Sequence, residues 1–251
     1  MKYFCCSDIH GDYEALMRAI IKYDYNPNDT EHQLIVCGDC FGRSQTNEDG
    51  SLNVFNYLTN NIHANAPIVL RGNHEDILLK IIDRKSLSWV DIWNGEKNTL
   101  VSLSGIRDFT EKFYTDEDLI REMERKCQIS KWINNLPFVY QTKTHIFTHG
   151  WFPEGYLTHL MENNEWKFTV EHWIEATWVK TPEEVKNYIY YKDKQFNKTI
   201  VFGHWHAEAF HNLYNGVANK DDIWIDTDNG LVALDCCTAR SHNIEMYIFE
   251  E

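Results

Sequence analysis

The sequence predicts an α/β fold, and three observations carry that prediction. In the first third, short apolar runs alternate with segments whose apolar residues recur at helical spacing, the pattern of a sheet joined by right-handed crossovers. Polar, glycine-bearing clusters follow the apolar runs at five places, as loops do at the ends of strands. No internal repeat, low-complexity tract or Pro/Gly/Ser linker divides the chain, and its five prolines are spread along the whole length. The 251 residues therefore read as one domain, 1–251, with a helical insertion at about 84–136.

Element by element, Tyr3 to Cys6 is a brief apolar strand. Tyr13 to Tyr23 follows as a helix with Leu16, Ala19, Ile20 and Tyr23 on one face. Leu34 to Cys37 is a second strand, followed by a helix through Val54, Phe55 and Leu58. Ile68 to Leu70 is a third, followed by a helix through Ile77, Leu78, Ile81 and Ile82. From about Arg84 to Leu136 the chain is mostly helical and polar. Thr115 before Asp116, Glu117 and Asp118 is a helix start, a capping hydroxyl followed by acids in the positive first turn. Thr181-Pro182-Glu183-Glu184 repeats it with proline at the first helical position. Strands return at Phe138–Tyr140, His145–Thr148, Thr199–Phe202, Ile223–Ile225, Leu231–Leu234 and Glu245–Phe249.

Composition limits the partners. Hydrophobic residues are 43% and aromatics 14%, enough to build a packed core. Lys+Arg number 24 against 38 Asp+Glu, a formal charge of −14, so no basic stripe is available to coat a long nucleic acid. No stretch approaches the ~18 apolar residues of a membrane span. Asp8 and His10 sit where a signal peptide needs an apolar run, so a soluble, cytoplasmic protein is expected. Seven cysteines, an odd count without a framework, agree with buried free thiols rather than disulfides. Cys37-Gly38-Asp39-Cys40 has redox-motif spacing, but no second pair accompanies it and Asp39 has a stronger claim.

That claim comes from the five loops. They are Ser7-Asp8-Ile9-His10-Gly11-Asp12, Gly38-Asp39-Cys40-Phe41-Gly42-Arg43, Arg71-Gly72-Asn73-His74-Glu75, Thr148-His149-Gly150 and Gly203-His204-Trp205-His206. Ligand sites in open α/β sheets lie off the carboxyl ends of strands, where these loops would converge. Asp8, His10, Asp39, Asn73, His149, His204 and His206 form a carboxylate, imidazole and amide set suited to manganese, iron or zinc. Seven donors are too many for one ion but suit two if Asp39 bridges them. A single Asp-x-His is common as a surface loop; five such loops in order after strands are not. The other histidines, including His145, His172 and His211, read as surface or satisfied core residues.

In this order the motifs Asp-x-His, Gly-Asp, Gly-Asn-His-Glu, His and Gly-His-x-His resemble the calcineurin-like metallophosphoesterases. Leu70 to Glu75, Asp8-Ile9-His10-Gly11 and Arg43 resemble the phosphoprotein phosphatase branch, nearest in size to bacteriophage lambda-type protein phosphatases and symmetrical diadenosine tetraphosphatases. The resemblance implies a four-layer α/β/β/α sandwich with two mixed sheets and two divalent metal ions. It implies Asp8, His10, Asp39 and His206 on the first ion, and Asp39, Asn73, His149 and His204 on the second. A bridging hydroxide would attack phosphorus, His74 would protonate the leaving alcohol, and Arg43 and Arg71 would hold phosphate oxygens. Two departures stand out: Gly42 replaces the aspartate that pairs with the catalytic histidine, and His206 adds a second histidine to the last motif.

The implied activity is hydrolysis of phosphate monoesters, on a phosphorylated protein or a small phosphate ester. A dinucleoside polyphosphate or other phosphodiester substrate is the alternative, with Trp151, Phe152 and Trp205 as stacking surfaces, although such aromatics more often form wall or core. An inactive binding scaffold, a third reading, should have lost ligands, whereas all seven positions and His74 are filled.

Overall fold

The structure, a computed structural model, describes residues 1–43, 49–60, 62–106, 114–157, 160, 168–178, 181–191, 197–218 and 220–251. Two mixed sheets form its centre. In the first, β1 (Lys2–Cys6), β2 (His32–Val36) and β3 (Ile68–Val69) run parallel, and β9 (Tyr247–Glu250) closes the edge antiparallel to β1. In the second, β5 (His145–Thr148), β6 (Thr199–Phe202) and β8 (Leu231–Ala233) are parallel, flanked by antiparallel β4 (Val139–Gln141) and β7 (Trp224–Asp226).

Side-chain alternation explains why the sheets stack. Along β1 and β2, Phe4, Cys6, Leu34 and Val36 point to one apolar cluster while Cys5 and Ile35 point to another. Phe147, Val201 and Val232 of the second sheet fill that same inter-sheet layer, and their neighbours Ile146, Ile200 and Leu231 face outward. A strand buried on both faces reads as a continuous apolar run, which is how these strands look in the sequence. The outer face of the first sheet is covered by α1 (Tyr13–Lys22), α2 (Gly50–Thr59) and α3 (Asn73–Arg84). The outer face of the second is covered by α8 (Val170–Thr177), α9 (Thr181–Tyr191) and α10 (Ala207–Phe210), giving the four layers.

Among the described residues the middle of the chain is helical: α4 (Trp89–Trp93), α5 (Glu96–Ser104), α6 (Asp116–Cys127) and α7 (Ile129–Asn134). Thr115 caps α6, accepting from the Asp118 N–H at 3.2 Å while the Asp118 carboxylate accepts from the Thr115 N–H at 2.9 Å. Its polarity is one-sided. Leu100, Leu103, Leu119, Met123 and Ile133 join the core of the first sheet, so the segment completes a layer. α9 starts at Thr181, with Pro182 inside its first turn. A four-residue α11 (Thr238–Ser241) precedes β9. Among the described residues no helix is long and apolar enough to cross a membrane.

Candidate metal centre

The six parallel strands among the described residues end on one rim. Asp8 lies two residues past β1, Asp39 three past β2 and Asn73 four past β3; His149 directly follows β5, His204 lies two past β6 and Asp235 two past β8. The loops are tied to one another by backbone bonds: Asp8 N–H to Gly38 O (3.1 Å), His10 N–H to Asp39 O (3.0 Å), Gly203 N–H to His149 O (2.7 Å). Asp8, His10, Asp39, Arg43 and His204 all take the left-handed conformation, with φ from 50° to 66°. For residues with a Cβ this costs roughly 1 kcal/mol each, and it turns side chains off the strand ends towards a common centre. Gly203 permits the closest approach, since a Cβ there would collide with the Ser7 hydroxyl and the Asp8 carboxylate.

Two groups of donor atoms result. His10, Asp39 and His74 form one; Asp39, His149 and His204 form the other, and within each group the ligand atoms lie within 4.8 Å of one another. Asp39 belongs to both. Two of the imidazoles are oriented from behind by backbone carbonyls: His10 Nδ1 donates to Phe41 O at 3.0 Å and His149 Nδ1 to Cys37 O at 2.7 Å, leaving each Nε2 inward. His149 Nε2 lies 2.9 Å from Asn73 Oδ1 and 3.3 Å from Asp39 Oδ1. Asp8 Oδ1 is 3.8 Å from His10 Nε2, while its Oδ2 accepts from Ser7 Oγ (2.5 Å) and His204 N–H (2.9 Å). His206 stands apart from both groups, with 40% of its side chain exposed and Nε2 3.9 Å from Asp235 Oδ2. A carboxylate, imidazole and amide set packed this closely fits divalent ions of the borderline class.

The electrostatics of the rim are those of buried, crowded charge. Burial, helped by the charges of His74 and Arg43, pushes His10 down to about 3. Burial, with His149 beside it, does the same to His204, also to about 3. Both are neutral imidazoles with a lone pair to give. Burial opposes a proton on His149, but Asp39, with Asp8 behind it, outweighs that and raises it to about 10. Asp39 is destabilised by burial yet held well below the carboxylate range by His149, His74 and His10. Burial, countered by His149 and reinforced by Asp39, lifts Asp8 to about 6.

Several sequence expectations change here. His74 does not lack a carboxylate: its Nδ1 lies 2.6 Å from Glu96 Oε1, on a residue distant in sequence that local motifs cannot reveal. Arg71 is buried in a two-contact pair with Asp76, at 2.6 Å and 2.5 Å, and packs over Phe138. Its guanidinium is thus engaged with a carboxylate. Arg43 is exposed, and its positive charge opposes the protonation of His10, His74 and His204. Trp151 and Phe152 are core residues of the second sheet, and Trp205 is partly buried against the same cluster. Cys37 and Cys40 are buried free thiols pushed far up by burial, which removes the redox reading. Asp235, lifted to about 7 by burial and by Asp8, was missed, although it follows its strand as Asp8 and Asp39 follow theirs.

No curated protein matches the chain in sequence. Among solved structures it is similar to a proposed diadenosine tetraphosphatase (14% identity, TM-score 0.54, covering 98% of this chain and 87% of that one). It is also similar to a cold-active protein-tyrosine phosphatase of a psychrophilic Shewanella species (14%, 0.55, 100% and 75%). A third is a protein serine/threonine phosphatase from Saccharomyces cerevisiae with similarity to human phosphatase PP5 (13%, 0.50, 100% and 80%). At these identities the likeness establishes the fold. The family is established by sequence: the profile of the calcineurin-like phosphoesterases matches residues 1–208, a span that carries all five loops, and the chain belongs to that family of metal-dependent hydrolases.

Proposed function

We propose that the chain hydrolyses phosphate monoesters, of a phosphoprotein or a small ester, with two divalent ions that share Asp39. The observation that carries this reading is the membership of Asp39 in both donor groups. Asp8, His10 and Asp39 would hold one ion, with His206 completing the set once it turns in from its exposed place beside Asp235, and Asp39, Asn73, His149 and His204 would hold the other. Two such ions, when bound, lower the pKa of water and offset charge on a transferring phosphoryl group. The protein supplies the rest. His10 and His149 are fixed in the tautomer that presents Nε2, Arg43 brings positive charge for phosphate oxygens, and His74 donates a proton to the leaving oxygen. Arg71, committed to Asp76, is left out of the phosphate-binding set and read as a brace for its loop.

Metal analysis should find two ions per chain in the wild type. Asp39→Asn should lose them together with nearly all turnover of 4-nitrophenyl phosphate, and chelation should do likewise until manganese is restored. Wild-type turnover in that variant, or turnover indifferent to chelator, would sink the shared-aspartate model.

One observation favours the phosphodiester reading. Trp89 and Trp93 of α4 are 77% and 82% exposed, and the following Asn94 accepts from the Arg43 N–H at 2.6 Å, so an aromatic ledge adjoins the Arg43 loop. Exposed indoles stack on nucleobases. A panel of phosphopeptides, nucleotides, cyclic nucleotides and dinucleoside polyphosphates compared by kcat/KM separates the readings. In the second, Trp93→Ala lowers kcat/KM for the dinucleoside substrate alone.

A further inference from the structure

We propose that Glu96 is the positioning residue for His74, fixing its tautomer and aiming Nε2 into the metal centre. The proposal rests on the reading of His74 as the proton donor and supplies what holds it. Glu96 opens α5 and is fully buried, as is His74. Its Oε1 accepts from His74 Nδ1 at 2.6 Å, while Oε2 has no hydrogen-bond partner. Among the described residues its one ion pair is with His74; no Lys or Arg shares it.

A buried carboxylate with a single partner is expensive to desolvate, and a neutral glutamine would satisfy the same imidazole N–H at less cost to the fold. What it gains is orientation. With Nδ1–H bound to Glu96, the other nitrogen faces the donor groups, and His74 Nε2 lies 3.9 Å from Asp39 Oδ2.

The surroundings are shaped around this pair. The Gly42 N–H donates to Thr99 Oγ1 at 3.1 Å and the Arg43 N–H to Asn94 O at 2.6 Å, so the segment that carries Glu96 is clamped to the loop beside His74. Gly42 has φ +76°, and a Cβ there would overlap His74 Nδ1 and come within 2.7 Å of Glu96 Oε1. Glycine at 42 is thus the residue that leaves room for the imidazole–carboxylate contact.

The test uses the manganese-loaded enzyme and two leaving groups. Glu96→Gln keeps the volume and removes the charge. It should cut kcat/KM for phenyl phosphate, a poor leaving group, about tenfold to hundredfold, and that for 2,4-dinitrophenyl phosphate less than about threefold. In a His74→Asn background the same change should cost nothing further, because Glu96 acts through His74. Equal losses on both substrates, or additive losses in the double variant, overturn the proposal. Proton NMR of the protein loaded with diamagnetic zinc supplies a readout independent of turnover: a downfield, exchange-protected imidazole N–H signal in the wild type, absent from both single variants. Persistence of that signal in Glu96→Gln also overturns it. If the phosphoesterase reading fails instead, the wild type is inert on both esters while the N–H signal remains.

Discussion

At the scale of single residues, the metal centre is built from side chains that the fold would reject elsewhere. Five of its loop residues other than glycine (Asp8, His10, Asp39, Arg43 and His204) hold left-handed backbone, and buried acids and imidazoles stand within a few ångströms of one another. Glu75 shows how such a rim is kept in place. It is fully buried at the start of α3, and its carboxylate accepts from the N–H groups of Asp39 (3.0 Å), Cys40 (2.9 Å) and Gly72 (2.8 Å), stapling the second loop to the third. Burial, with Asp39 adding to it, raises its carboxyl to about 7. Removing it strands three buried donors, each costing about 1–3 kcal/mol when unsatisfied, with partial relaxation. Glu75→Ala should therefore lower unfolding free energy by roughly 2–4 kcal/mol in urea titrations. A loss under about 1 kcal/mol would mean that the loops keep their shape without the staple.

Elements were legible in the sequence where their signal is local. β5 and β6 have the predicted bounds at His145–Thr148 and Thr199–Phe202 because their apolar runs stop abruptly at polar loops. The Thr115 cap was legible for the same reason, its box closing within four residues. β7 and β9 moved by a residue or two, since their ends are set by pairing with partners rather than by their own residues. What the sequence hid was non-local: Glu96 reaches His74 from the helical middle segment, Asp235 joins the rim from the end of β8, and the middle segment's apolar faces close the core.

Glu251 is another such element-to-element link. Directly after β9 in the first sheet, it accepts from Thr142 Oγ1 (2.7 Å), Lys143 N–H (3.0 Å) and Thr144 N–H (2.9 Å) in the β4–β5 turn of the second. Burial works against the charge, but these donors outweigh it and hold the carboxyl at about 2. A folded-state value below the unfolded ~4.3 stabilises the protein above that pH, and the gain is lost as pH falls towards 2. Glu251→Gln should cost about 0.5–1 kcal/mol near neutrality after solvent screening, and the gap to wild type should close between pH 4.5 and 2. A gap that stays constant over this range would remove the charge from the explanation.

At the scale of the whole molecule, the charge of −14 and the anion-binding pocket are compatible because they occupy different places. Of the 38 acids only Asp8 and Asp39 are assigned to the ions, and two divalent cations would make a locally positive site in an acidic protein. The ions must displace protons to bind, and burial and neighbouring charge decide which ligands carry one. His10 and His204, at about 3, are already neutral and release none. His149, at about 10, keeps its proton in the metal-free protein through neutral pH, so binding through its Nε2 expels about one proton per chain. In the metal-free protein, the proton on His149 stabilises the fold fully below its unfolded ~6.5, and that contribution is lost as pH rises towards 10. The metal-bound state carries no such proton and does not share the loss. The stabilisation conferred by manganese should accordingly grow from pH 6.5 to 8.5, by about 1.4 kcal/mol, or roughly 3–5 °C in Tm, per pH unit at fixed excess metal. Thermal melts of chelator-stripped protein with and without manganese measure the gain. Calorimetry in buffers of different ionisation enthalpy counts the proton. A gain independent of pH, with no proton released, would show that His149 does not give its lone pair to an ion, and the second half of the centre would have to be built without it.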